Sequence, residues 1–177
     1  VPRRERIVAP GPIANREVFF RWPFRRVRFL HFATHAWFDG EHPSLSGLLL
    51  AERNGRDDQL RAYEIQRLQL AADLVVLSAC ETGRGAGREV RGEGLFGLAQ
   101  SFLVAGAGSA MASLWQVHDQ ATARLMESFY AGLLQDGLRP SAALRQAELA
   151  LRRQAAWRDP YFWAGFVIFG EPEARSR

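Results

Sequence analysis

Lysine is absent from all 177 residues, although the chain carries 23 basic side chains, every one of them arginine. A phosphate loop of the Walker type needs its lysine, so that nucleotide chemistry is excluded. Cysteine occurs once, at Cys80, which excludes an internal disulfide framework. A lone thiol fits a reducing compartment, and the expected location is the cytoplasm. No apolar run approaches the ~20 residues of a membrane-spanning helix, and no contact with a membrane is expected. Signal-peptide and transit-peptide patterns are missing, as is an initiator methionine, so the chain reads as a segment of something longer. Acidic residues are scarce at one end only. Residues 1–28 hold eight arginines against two acids, and residues 29–177 hold 15 against 17. The net charge of +4 therefore belongs to an N-terminal arm rather than to a basic face of the core, and nucleic-acid binding is not expected of the domain.

What is present is an ordinary globular composition, 47% hydrophobic and 24% charged, with length enough for one domain and a substantial core. The stretch Leu74-Val75-Val76-Leu77-Ser78-Ala79-Cys80 is a short apolar run with β-branched residues. Closed by the glycine-rich turn from Gly83, it predicts a buried strand of a parallel sheet with Cys80 at its carboxyl end. Val27 to His35 has the same shape and ends on a histidine. In open α/β sheets the carboxyl edge is where ligands bind. If the two strands are neighbours, about 4.8 Å apart, a thiol and an imidazole meet there. That pairing makes a cysteine nucleophilic, because the imidazole takes the proton and the imidazolium then favours the thiolate. Taken alone, a cysteine such as Cys80 after a buried strand is more often an inert core residue than a nucleophile. His31 precedes His35 by four residues, about 13 Å along a strand, so the two cannot share a metal ion. No metal or other cofactor is expected, and His31 is assigned to the core or to the surroundings of His35.

The rest of the chain alternates. Residues 1–26 are rich in arginine and proline, with one short element around Ile13–Phe20. Leu48–Ala51 predicts a strand, and Asn54-Gly55 a hairpin returning near Gln59–Ala62. A short helix is expected over Tyr63–Leu70. Residues 83–94 hold five glycines with Arg84, Arg88 and Arg91. This predicts a mobile loop, and the spacing does not fit Gly-x-Gly-x-x-Gly. Leu95, Leu98, Ala99, Phe102 and Leu103 share a helical face. Ser109–Trp115 predicts a strand, with Gln116–Asp119 as its exit loop. Two helices follow, from about Gln120 and from Pro140, and a last strand over Tyr161–Phe169. The order implies an α/β fold with a mostly parallel sheet and helices on both faces.

Several motifs then fall in register with one family. Phe32-Ala33-Thr34-His35, Ser44-Leu45-Ser46-Gly47-Leu48-Leu49-Leu50, Leu77-Ser78-Ala79-Cys80-Glu81-Thr82-Gly83, Ser113-Leu114-Trp115-Gln116-Val117-His118-Asp119 and Phe162-Trp163-Ala164-Gly165-Phe166 occur in this order. Over about residues 27–171 the chain resembles the CHAT domain, a caspase-like branch of the clan CD cysteine peptidases. The resemblance implies a caspase-like three-layer sandwich and a cysteine endopeptidase acting on a polypeptide substrate. His35 takes the base role and Cys80 the nucleophile role. The backbone N–H groups of Cys80 and Ala36 are the implied oxyanion donors, with Ala36 standing where the family usually has glycine. The loop from Trp115 to Asp119 is the implied wall of the substrate pocket. Asp119 there would favour a basic side chain, and its plainer reading is the cap of the following helix. The resemblance further implies a regulated effector inside a larger signalling protein, fused or bound to tetratricopeptide (TPR) or other sensor repeats, with a catalytically inactive adaptor as the alternative. The expected organisation is an arm over 1–26, itself a truncated part of the domain, a peptidase-fold domain over 27–171 and a polar tail over 172–177.

Overall fold

A computed structural model of the chain describes residues 7–39, 41–52, 58–78, 80–81 and 91–170. The loop residues 83–90, the Asn54-Gly55 turn and the tail after Gly170 lie outside the described residues.

The apolar run before Ser78 forms β5 (Leu74–Leu77), with all four side chains removed from solvent. It is central to a four-stranded sheet in the order β1 (Phe29–Phe32), β5, β7 (Ser109–Ser113), β8 (Phe166–Gly170). The first three strands are parallel and β8 is antiparallel to β7. The alternation of side chains along β5 divides the core in two. Val75 and Leu77 pack with Leu95, Leu98, Ala99 and Phe102 of α3 (Arg91–Val104) on one face. Leu74 and Val76 pack on the other face with Leu125, Met126 and Phe129 of α4 (Asp119–Leu134) and with Ala143, Leu144 and Ala147 of α5 (Pro140–Arg152). The result is three layers with the mostly parallel sheet in the middle, the architecture that α/β alternation implies.

A second, smaller sheet runs in the order β4 (Gln59–Arg61), β3 (Gly47–Leu49), β2 (His35–Trp37), β6 (Cys80–Glu81). The expected hairpin is present as the antiparallel pair β3 and β4, with Leu48 opposite Leu60. Gly47 is required there, since a Cβ would lie 2.5 Å from the Leu60 carbonyl oxygen. Gly106, at φ +107°, ends α3 in a conformation that favours glycine. The expected helix over Tyr63–Leu70 is shorter, α2 (Ala62–Ile65).

Residues 16–26 are not detached from this core. In α1 (Arg16–Phe20) and the turn after it, Phe19 and Phe24 are buried in the α3-side cluster. Asn15 caps α1 by accepting the N–H of Val18 at 3.0 Å. Arg16 then reaches across to α2. Its guanidinium donates twice to Glu64, at 2.8 and 2.6 Å, and also to the Gln59 carbonyl. Glu64 accepts the Arg61 N–H as well, at 3.0 Å. The Arg16 hydrogen bonds hold the Glu64 carboxyl below its ordinary value near 4.5. A carboxylate stabilised in the fold contributes stability above its unfolded pKa and loses it as pH falls. Arg16→Ala is therefore expected to cost about 2 kcal/mol near neutral pH, the scale of hydrogen bonds to a charged group. In urea titrations of both proteins the gap should narrow as pH drops through 4.5 and below. A gap that stays constant down to pH 3 would rule the ion pair out as its source.

Candidate functional site

The parallel ladder between β1 and β5 sets Phe29 opposite Leu74 and Phe32 opposite Leu77. Both strands then break and resume. The resumed segments, β2 and β6, pair in parallel with His35 opposite Cys80 and Ala36 opposite Glu81. The offset is 45 positions on each side of the break, 77 − 32 before it and 80 − 35 after it. One ladder thus continues into the small sheet. The Ser78 N–H donates to the Phe32 carbonyl at 3.0 Å and carries the register across the gap. The Thr34 hydroxyl donates to the Leu49 carbonyl, drawing the chain out toward β3. The expected single strands through His35 and through Cys80 are each two strands for this reason. The backbones of His35 and Cys80 become direct neighbours, at the ~4.8 Å spacing of adjacent strands. His35 is exposed.

Ala36 is fully buried and lies mid-strand, opposite Leu48 on one side and Glu81 on the other. Its backbone is extended, so the alanine carries no left-handed strain.

The loop after β7 leaves from the carboxyl edge of the same parallel sheet. Carrying the β5–β7 register three residues beyond Leu77 and Ala112 reaches Cys80 and Trp115. The chain turns away at Leu114, whose N–H donates to the Gly165 carbonyl at 2.7 Å. The expected strand to Trp115 accordingly stops at Ser113. An open pocket of about 460 Å³ follows, lined by Gln116, Val117, His118, Asp119, Gln120 and Tyr161. Asp119 is exposed in the first turn of α4, where the helix dipole favours its charge. It is not the cap. His118 is, with Nδ1 accepting the Ala121 N–H at 3.5 Å, and its ring is fixed between Trp157 and Phe162 with centroids 5.2 and 5.6 Å away. Trp115 props the far wall: its Nε1–H donates to the Tyr161 carbonyl at 3.0 Å.

Tyr161 is the pocket residue that strand periodicity hides. Its run reads as a β-strand, yet Asp159 accepts the Tyr161 N–H at 2.8 Å and Pro160 starts a 3-10 turn. The Asp159-Pro160 pair, a cap followed by proline in the first turn, is the signal for that turn. The Tyr161 hydroxyl then donates to the Gln116 carbonyl at 2.9 Å and braces the loop.

His31 does not join His35. Its Nδ1 shares a 2.9 Å hydrogen bond with the Tyr130 hydroxyl of α4, and the rings stack at 5.7 Å. His31 is exposed on the edge strand and so is not a core histidine, but partial desolvation against α4 lowers its imidazole pKa from the ordinary value and raises that of the Tyr130 phenol. Among the described residues no group of three His, Cys, Asp or Glu is placed to hold a metal ion. No helix of the described residues is long and apolar enough to cross a membrane.

A family model described as the CHAT domain matches residues 3–171. The chain is also similar to Tetratricopeptide repeat protein 28 of Mus musculus, 36% identical over 115 residues, which is 65% of this chain and 4% of that protein. The same-named protein of Homo sapiens is 36% identical over 111 residues, 63% of this chain and 4% of that protein. The chain therefore corresponds to a small part of the length of these relatives.

Proposed function

This chain belongs to the CHAT domain family, and from that premise we propose that it is a cysteine endopeptidase module whose nucleophile is Cys80 and whose base is His35. The supporting observation is that the offset of 45 is the same on both sides of the break, which makes the backbones of His35 and Cys80 neighbours in the ladder. His35 takes the thiol proton, and the thiolate attacks the scissile carbonyl carbon. Backbone N–H groups of Cys80 and Ala36 receive the oxyanion, a contribution of about 3 kcal/mol per well-placed donor. The C–N bond breaks as His35 returns the proton to the leaving amine. Water then attacks the thioester and frees the thiol. Covalent labelling of Cys80 by a peptide bearing a thiol-directed electrophile tests this reading. Labelling of the native protein that is lost in His35→Ala supports it, and equal labelling of the two opposes it.

The pocket wall suggests the side chain preceding the cut. Asp119 presents a carboxylate in the opening and Tyr161 an aromatic face, a combination that suits arginine or lysine. Across peptides differing only at that residue, Arg and Lys should be cleaved about 10-fold or more faster than Leu or Asp, and Asp119→Ala should erase most of the difference. Indifference to charge in both proteins would remove Asp119 from the pocket.

Relatives named for tetratricopeptide repeats support a place for the module within a larger protein carrying such an array, as the regulated effector of a signalling event. A cytoplasmic setting belongs to the same proposal. A second reading, a catalytically inactive adaptor with this fold, is favoured by Ala36, which stands where the family usually has glycine.

A further inference from the structure

Gly165 stands just before β8, in the motif Phe162-Trp163-Ala164-Gly165-Phe166. The left-handed glycines among the described residues are Gly11, Gly106, Gly137 and Gly170, and Gly165 is not one of them. Its backbone conformation therefore does not call for glycine. The space beside it does. A Cβ added here would lie 3.2 Å from both Cε2 and Nε1 of the Trp115 indole, and 3.3 Å from Val117 Cγ1. Carbon atoms in good contact stand about 3.5–4.0 Å apart, so a methyl group would press on both side chains.

Those two side chains belong to the pocket wall. Leu114, Trp115 and Gln116 are each bonded to the stretch from Tyr161 to Gly165. The Leu114 N–H donates to the Gly165 carbonyl at 2.7 Å, and the Trp115 Nε1–H to the Tyr161 carbonyl at 3.0 Å. The Gln116 carbonyl accepts the Tyr161 hydroxyl at 2.9 Å. Gln116, Val117 and Tyr161 then line the opening together with Asp119. The wall from Gln116 to Asp119 thus hangs between two fixed points, this clamp and the His118 cap of α4. The middle bond of the clamp depends on where the indole lies, and the missing side chain of Gly165 is what lets it lie there.

We propose that Gly165 is a positioning residue for the pocket: it seats the Trp115 indole so that the bond to Tyr161 forms and the wall bearing Val117 and Asp119 is held ready for a basic side chain. The residue touches no substrate and acts through Trp115 and Val117. Walls held in place before binding lose little freedom when a ligand arrives, and a small displacement of them weakens it. This inference rests on the reading of the pocket as the seat of an arginine or lysine side chain.

N-acetyl-arginine amide is the probe, because its binding is measured whether or not any peptide is cleaved. The Trp115 indole N–H signal, one of five tryptophan signals and identified by its loss in Trp115→Phe, follows the titration by NMR. Gly165→Ala is expected to weaken binding of the amide about 5-fold or more. Gly97→Ala, the same change at a place where nothing lies within 4 Å of the added Cβ, should keep the native affinity. A glycine serving stability alone would lower the unfolding midpoint and leave the affinity of the folded protein unchanged, so that result overturns the proposal. If Gly165→Ala does not fold, Trp115→Phe takes its place, since it removes the bond that Gly165 secures and adds no atom. Native affinity in Trp115→Phe overturns the proposal as well. Failure of the native protein to bind the amide removes the pocket reading and this inference with it. Weakened binding in Gly165→Ala, in a protein that cleaves no peptide, upholds the positioning role and removes the peptidase reading alone.

Discussion

Replacing His35 with alanine is expected to lower peptide hydrolysis by roughly 10⁴- to 10⁶-fold, and Cys80→Ala by as much. The size follows from their joint action. Without the imidazole, the thiol keeps its proton near neutral pH and the leaving amine has no acid. Without the thiol there is no acyl intermediate to form. Because the two act as one unit, the double variant should be little slower than either single one, and that non-additivity is the signature sought. His35 is exposed and ends no packed row, so His35→Ala should unfold at the native urea concentration. The measurement is kcat/KM on a cleaved peptide, beside an unfolding curve for each variant. A folded His35→Ala that retains activity within about 10-fold of native would end the dyad assignment. Activity that survives in Cys80→Ala would point to a contaminating peptidase.

The largest structural effect is expected at Phe102. Its ring is fully buried in α3 and lies 5.3 Å from that of Phe32, the last residue of β1 before the chain turns toward His35. Leu98 and Ala99 of the same helix are equally buried, so the helix is seated on the sheet and cannot easily settle into a void. Phe102→Ala should cost about 3–5 kcal/mol, a large part of the roughly 5–15 kcal/mol that holds a domain together. Urea denaturation would register it as a fall in midpoint at unchanged slope. Phe96 provides the internal control. It lies on the same helix, is 49% exposed and touches the Phe169 ring edge-on at 5.2 Å. Phe96→Ala should cost about 1 kcal/mol or less. Equal losses at the two positions would mean that α3 does not pack on the sheet as described.

Much of the fold was legible in the residues because it is written at short range. The all-buried run Leu74–Leu77, the helical face Leu95–Phe102, and the Leu48/Leu60 hairpin were each apparent from period or turn chemistry. Two of the misplaced boundaries share one cause, a long-range hydrogen bond that no window of sequence contains. Thr34 bonded to the Leu49 carbonyl splits the first strand, and Leu114 bonded to the Gly165 carbonyl shortens the third. At α4 the choice lay between two adjacent residues able to cap. Asp119 is the commoner cap by type, but His118 holds the position because Trp157 and Phe162 fix its ring. Tyr161 entered the pocket through a turn that its apolar neighbours concealed.

The amino-acid order alone determined which segments would be strands or helices, that thiol and imidazole would each close an apolar run, and which family the motifs resemble. These are properties of neighbours in the chain, set by side-chain period and by turn residues. Tertiary structure alone decided that the 45-residue offset survives the break in both strands and that His118 rather than Asp119 caps α4. Each depends on the distance between groups remote in sequence, and packing of the whole core is what sets that distance.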